Sequence, residues 1–331
     1  MFLMHGEILS PPRRTAGPGF ALTLGVAAVS SAAILITFAR AQGIPALSIA
    51  ALRMGIAAIV VAPVALFRCR AELRALSAND CALSLASGAL LALHFGFWTS
   101  SLDSTSVMSS VVFVSTNPLF VAIASAFLFH ERLRPAGVAG IGIAIIGGAV
   151  VGFADAGQGA ASARGDVLAL LGALSASGYL LLGRQLRARM SLPLYVGIVY
   201  VTAAAALFLV VGLTGLRLSA YPPSGYFWVL LLALGPQLLG HTSYNYALKY
   251  VSATLVTVTL LAEPVGATLL AIPLLSQVPT GARIVGGLCI LAGIVLAAIG
   301  NPPAAVPGNA SAAVQGNRPA AGDPPAAAPR M

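Results

Sequence analysis

The sequence predicts an all-α integral membrane protein with about ten transmembrane helices in two inverted five-helix repeats. Three observations carry that expectation. The 331 residues are 58% hydrophobic and only 8% charged, whereas a soluble domain carries about 25% charged residues. Mean hydropathy is +0.93, and the apolar residues fall in continuous runs of about twenty, the length a helix needs to cross hydrocarbon, not in short alternating runs like those of a barrel. Finally, the second half of the chain can be laid on the first.

The spans are expected at 19–38, 45–67, 82–101, 106–129 and 135–153, then at 165–186, 192–215, 226–248, 252–276 and 282–300. Residues 19–153 form the first repeat and 165–300 the second. Residues 1–18 read as a short cytoplasmic segment. Residues 301–331 are rich in Pro, Ala, Gly and Ser, a composition that buries too little apolar surface to fold, and read as a disordered cytoplasmic tail. Pro11-Pro12-Arg13-Arg14 before the first apolar run has the look of an export signal. The run is longer than a signal core and nine comparable runs follow, so an uncleaved first helix is expected.

A net charge of +9 would suggest nucleic acid for a soluble protein. Here Lys and Arg sit in the breaks between apolar runs, so the charge sets topology and no nucleic-acid partner is expected. With the amino terminus inside, thirteen basic residues fall on inside segments and four on outside ones. Both termini are therefore expected in the cytoplasm. Cys69, Cys81 and Cys289 have no metal-ligand spacing, and neither a metal nor a cofactor is expected.

A shift of 146 residues aligns Leu102 with Leu248, Ser106 with Ser252, Pro118 with Pro264, Gly140 with Gly286 and Gly147 with Gly293, without a gap. Five is odd, so the second copy lies upside down relative to the first, and an inverted pair places a site between its halves near mid-membrane. Asn117-Pro118 and the stretch ending Phe129-His130-Glu131-Arg132-Leu133-Arg134 resemble the fourth helix of the EamA family of the drug/metabolite transporter (DMT) superfamily. Leu261-Ala262-Glu263-Pro264 resembles the matching point of its second repeat, and Ala51-Leu52-Arg53 resembles the arginine that opens its second helix. The resemblance covers roughly residues 19–300. It implies a multi-pass protein of a bacterial inner (plasma) membrane that exports amino acids, related metabolites or drugs. Two positions depart from the family pattern: Gln277 stands where the first repeat has Glu131, and the first helix reads Val29-Ser30-Ser31 in place of an aromatic-glycine pair.

Glu263 is the one carboxylate deep in the expected spans. A charge at mid-membrane costs about 2.5 to 3.5 kcal/mol on insertion scales, close to the cost of holding a glutamate neutral at pH 7. Local partners therefore decide its state, the condition for binding a proton or a cationic group, although hydrogen bonding to backbone freed near Pro264 would account for it equally well. Pro118 and Pro264 each remove a backbone donor and should kink their helices, either statically or as gates. His94, Trp98, Asn117, His241, Tyr244 and Asn245 are, with Glu263, the expected substrate pathway. Single histidines more often make structural hydrogen bonds, and aromatics near helix ends also serve as interface anchors. Arg53 is expected either to snorkel outward or to meet a substrate carboxylate at the outer mouth. Glu131, with Arg134, is expected to form an ion pair at the cytoplasmic edge.

No nucleotide-binding GxxxxGK[ST] loop, HExxH or Gly-x-Ser-x-Gly pattern occurs, and the nine acids are scattered singly, so no catalytic centre is expected. The expected function is a secondary transporter working by alternating access on a small-molecule substrate within a lipid bilayer, with proton coupling as a hypothesis. A channel or facilitative pore is the competing reading, ahead of a membrane-embedded enzyme.

Overall fold

The computed structural model describes residues 17–129, 134–156 and 160–300; Glu131, residues 1–16 and the tail 301–331 lie outside them. Among the described residues the chain forms ten helical spans and no strand. Seven are long and apolar enough to cross a membrane: Pro18–Ala41, Ala46–Arg68, Ala78–Ser101, Val107–Ala124, Ser162–Arg187, Leu192–Leu213 and Ala253–Leu275. The fifth and tenth spans contain the shorter apolar helices Pro135–Val151 and Gly281–Leu296. The eighth is assembled from Pro223–Leu232, a π-helical segment Ala233–His241, and Thr242–Ala247. Helices are the form such a chain must take, because hydrocarbon offers no partner for backbone N–H and C=O groups. Ile59, Phe67, Ile146, Leu213 and Leu288 point outward, as lipid-facing side chains do.

Three further spans are broken. The first divides into Pro18–Val29 and Ala32–Ala41 at Ser30-Ser31, whose hydroxyls donate back to the Val26 and Ala28 carbonyls, each at 2.8 Å. Such back-bonding competes with the helix ladder and bends it. The fourth divides into Val107–Val114 and Asn117–Phe129, and the ninth into Ala253–Thr259 and Ala262–Leu275. Both breaks fall just ahead of a proline, Pro118 and Pro264, whose ring removes a donor and crowds the preceding turn. Both spans also open with the same cap: Ser106 Oγ accepts from the Ser109 N–H and Ser252 Oγ from the Leu255 N–H, each at 3.1 Å. Gln277 acquires a role of its own. Its Oε1 accepts from the Val107 N–H at 3.1 Å, tying the turn between the ninth and tenth spans to the start of the fourth.

The packing repeats as the sequence does. The fifth span lies along the tenth and the second along the seventh, while the third lies along the sixth as the eighth lies along the first. Exchanging each span with its counterpart five places on maps this pattern onto itself. The seam between the fifth and tenth spans also fixes the hand of the relation. Gly147 meets Gly286 and Gly293 meets Gly140; as one number falls by seven the other rises by seven, which only antiparallel helices allow. A Cβ added at Gly147 would come within 2.6 Å of the Gly286 carbonyl oxygen, and one at Gly293 within 2.6 Å of the Gly140 oxygen. The glycines are there because the two backbones touch.

Gly147→Ala is therefore expected to cost about 1 to 3 kcal/mol through overpacking against backbone that cannot yield. Gly142→Ala, where an added Cβ meets nothing within 4 Å, should leave stability unchanged or raised. Thermal unfolding in detergent compares the two, and equal midpoints would show that the seam is not tight.

Candidate functional site between the repeats

Arg53 enters the bundle from the second span and is 1% exposed. Its Nε–H donates to Gln237 Oε1 at 3.0 Å, and its guanidinium lies 3.9 Å from the centroid of the Phe95 ring, a cation–π geometry. The snorkelling expectation is thereby corrected. A partner 184 residues away in sequence, supplied by the π-helical turn of the eighth span, holds the side chain inward.

Around Arg53 lies an aromatic cluster. His241 meets Phe95 edge-on at 5.1 Å, His94 stacks on Trp98 at 5.9 Å, and the two imidazole centroids are 6.1 Å apart. Tyr244 packs on His241 at 5.8 Å. Trp98 and Tyr244 are 2% and 1% exposed, so neither is an interface anchor. His94 Nδ1 stands 3.0 Å from the Gly172 carbonyl oxygen. A carbonyl only accepts, so Nδ1 carries the proton and, in the neutral ring, the lone pair belongs to Nε2. Glu263 occupies the first turn of Ala262–Leu275 and is buried. Among the described residues it closes no ion pair, and Arg53 is the cation that acts on it.

The structure brings His94, Trp98, Asn117, His241, Tyr244 and Glu263 to the walls of one cavity. Its free space is about 30 Å³, enough for a water or two, so its own lining nearly fills it. Several buried polar atoms on its lining residues have no protein partner: Trp98 Nε1, Asn117 Oδ1, His241 Nδ1 and Tyr244 Oη. Arg53 stands outside the wall, and both of its Nη atoms are likewise unpartnered. Asn245 stands outside the wall, where its Nδ2 donates to Tyr179 Oη at 2.5 Å and to the His241 carbonyl at 2.9 Å. Pro118 and Pro264 mark the helix breaks beside the cavity. Arg134 is exposed just before the fifth span and does not line the cavity.

Gln237, Phe95, Tyr179 and Tyr200 belong to the centre and escaped sequence reasoning. Gln237 carried a signal, an amide beside Pro236 midway along an apolar run; the tyrosines carried only their hydroxyls. The His94 and His241 pair also departs from strict repetition. Gly172 leans on His94 and Trp98 as Gly25 leans on Gly240 and Tyr244, so the true counterpart of His94 is Gly240. The wide π turn ending at His241 brings the residue one place later to the same cavity.

Arginines clasp both ends of the site. Arg40, closing the first span, pairs with Asp103 in the connection after the third. Its counterpart Arg187, closing the sixth span, faces a connection whose residue matching Asp103 is Lys249, so it grips carbonyls instead. Arg187 Nε donates to the Asn245 oxygen at 3.0 Å and Nη1 donates to the Met190 oxygen. On that same face Arg189 pairs with Asp80 at 2.5 Å and the Ser191 N–H donates to Glu72 Oε1 at 2.6 Å.

Ten apolar spans in two inverted repeats, closed around a small cavity with a few polar groups in a largely apolar wall, define a multi-pass α-helical membrane protein of the transporter type. A model of the EamA-like transporter family matches residues 19–153 and 163–299, and the chain belongs to that family. A solved structure titled "Crystal structure of protein" is similar in fold, with a TM-score of 0.62 and 22% identity over 86% of this chain and 98% of its own. Among curated proteins no relative matches.

Gln237→Leu should strand the buried guanidinium and lower stability by about 1.5 to 3 kcal/mol, the range for a hydrogen bond to a charged group; an unchanged unfolding midpoint in detergent would deny that the bond matters. At Asp103 burial raises the carboxyl above its ordinary value and Arg40 pulls it back. The folded state thus binds this proton more readily than the unfolded one, and between the ordinary and the raised value stability should increase as pH falls. Asp103→Asn is expected to abolish that trend and to shift stability at neutral pH by less than about 1 kcal/mol despite the lost ion pair. Unfolding midpoints of the two proteins across the carboxylate range test both statements.

Proposed function

We propose that this family member is a secondary transporter that exports a small zwitterionic metabolite, an amino acid or a related compound, across a bacterial inner membrane by alternating access, with both termini in the cytoplasm. The observation that carries the reading is the set of unpartnered buried polar atoms on Trp98, Asn117, His241 and Tyr244, which line one cavity between the repeats. Each such atom costs about 1 to 3 kcal/mol when left unmet, and a cluster of them around a single space is matched by a guest that moves through it. The two unpartnered Nη groups of Arg53, packed against Phe95 just outside that wall, suit a carboxylate bidentately once the site opens. Glu263 suits an ammonium, and His94, Trp98 and Tyr244 supply the flat walls an apolar side chain would lie against.

The nearly filled cavity and the clasps at both ends fit a closed intermediate of such a cycle. Opening one face requires release of Arg40 from Asp103; opening the other requires release of Arg187 from the eighth span. The helix breaks at Pro118 and Pro264 are the natural flexing points. Glu263, His94 and His241 supply groups through which proton movement would couple to transport. Thirteen basic residues against four orient the termini inward.

Uptake of labelled amino acids and amines into proteoliposomes, with and without an imposed pH gradient, tests the proposal. Saturable uptake is expected for at least one member of the panel, with stimulation by the gradient. Glu263→Gln is expected to lose most of that uptake, by about ten-fold or more if the carboxylate meets the guest's charge directly. Uptake by Glu263→Gln at normal rate and pH dependence would make Glu263 structural, and a folded, inserted protein that moves nothing in the panel would overturn the substrate class.

A further inference from the structure

A space larger than the central cavity lies away from the centre. Between the connection after the third span, the start of the sixth and the turn joining the ninth to the tenth is a cavity of about 440 Å³, within the size range of small-molecule sites. Its walls are mixed: Ser104, Ser106, Ser162, Ser276, Gln277 and Arg283 stand among apolar residues such as Met108, Ala271 and Val278. Beside it, between the fourth, ninth and tenth spans, lies a second cavity of about 250 Å³ with wholly apolar walls, including Val112, Val265, Leu269 and Leu288. Val265, Leu269 and Leu288 are 50%, 64% and 61% exposed, so this groove opens sideways toward lipid.

Met108, Thr268 and Pro279 line both cavities. The partition thus includes Met108, an unbranched thioether that rearranges at low cost; its Cε already sits close to Gly287, where an added Cβ would come to 3.1 Å. A hydroxyl-rich vestibule holding a cation, adjoining an apolar groove open to the bilayer across a movable side chain, has the shape of an amphiphile.

We infer that this pair of cavities is a binding site for a single-tailed anionic amphiphile, its carboxylate or phosphate head among the hydroxyls and Arg283, its tail over Met108 in the groove between the fourth, ninth and tenth spans. The vestibule lies on the face reached by odd-numbered spans, separate from the cavity that Glu263 lines, and the inference stands whatever the central site carries. An occupant would bridge the ninth and tenth spans to the fourth, alongside the Gln277 bond to Val107, and so would resist separation of the repeats at this edge.

The test is photolabelling of the purified full-length protein in detergent by a long-chain fatty acid with a diazirine near its tail. Saturable labelling is expected within residues 265–291, displaced by unlabelled fatty acid but not by butyrate, inorganic phosphate or the matching long-chain alcohol. Val265→Trp and Leu288→Trp, substitutions at exposed positions that fill the groove, should each reduce it about five-fold or more, and Arg283→Gln should weaken binding to a similar degree while Arg283→Lys retains it. Non-saturable labelling spread over lipid-facing residues of other spans would mean ordinary solvation by amphiphile and would overturn the inference. So would displacement by phosphate alone, or labelling unaltered by either tryptophan.

Discussion

A guanidinium that is 1% exposed, on a helix that crosses hydrocarbon, is tolerable only if its donors are met and its charge is answered. Much of the centre of this protein follows from that requirement. Gln237 reaches Arg53 only because the eighth span widens into a π turn around Pro236. Phe95 offers its face to the cation while it packs at a steep angle against His241. Glu263 answers the charge without closing on it, so neither group is consumed by the other. The hydrogen-bonding capacity left over on Trp98, Asn117, His241 and Tyr244 is what gives the cavity its polar character.

The fold was legible because lipid imposes a strict grammar. Uninterrupted apolar runs, basic residues gathered in the breaks, and a proline and two glycines recurring at one spacing each reflect a constraint that acts locally along the chain. The helix breaks before Pro118 and Pro264 were legible for the same reason. The centre was only partly so. Its pathway residues could be picked out as polar or aromatic groups in apolar runs, but their partners could not. Arg53 sits where a free side chain would reach the surface, and only Gln237, remote in sequence, turns it inward. Trp98 and Tyr244 lie near helix ends, where sequence alone cannot tell an anchor from a wall. Asn245 looked equivalent to its neighbours until Tyr179 claimed its amide.

The clasps show how an inverted repeat diverges. Arg40 and Arg187 hold equivalent posts at opposite faces, yet one grips a carboxylate and the other grips carbonyls, because Asp103 is matched by Lys249. An ionic clasp weakens with salt and with protonation, whereas a clasp onto backbone responds to neither in the same degree. The two faces therefore differ in what loosens them, although the helices that carry them share one plan.

The glycine seam between the fifth and tenth spans has an evolutionary consequence. An antiparallel contact in which Gly140 meets Gly293 and Gly147 meets Gly286 is the kind two identical halves would make with each other, each supplying the same patch. In such a pair a single gene writes both sides, so every substitution is counted twice and any clash is doubled. Joining the halves in one chain releases that bond between copies. Gln277 can then cap the fourth span while its counterpart remains a glutamate, and His94 can face the cavity while its counterpart is Gly240. The seam itself has kept its glycines on both sides, because there the opposing backbones leave no room for divergence.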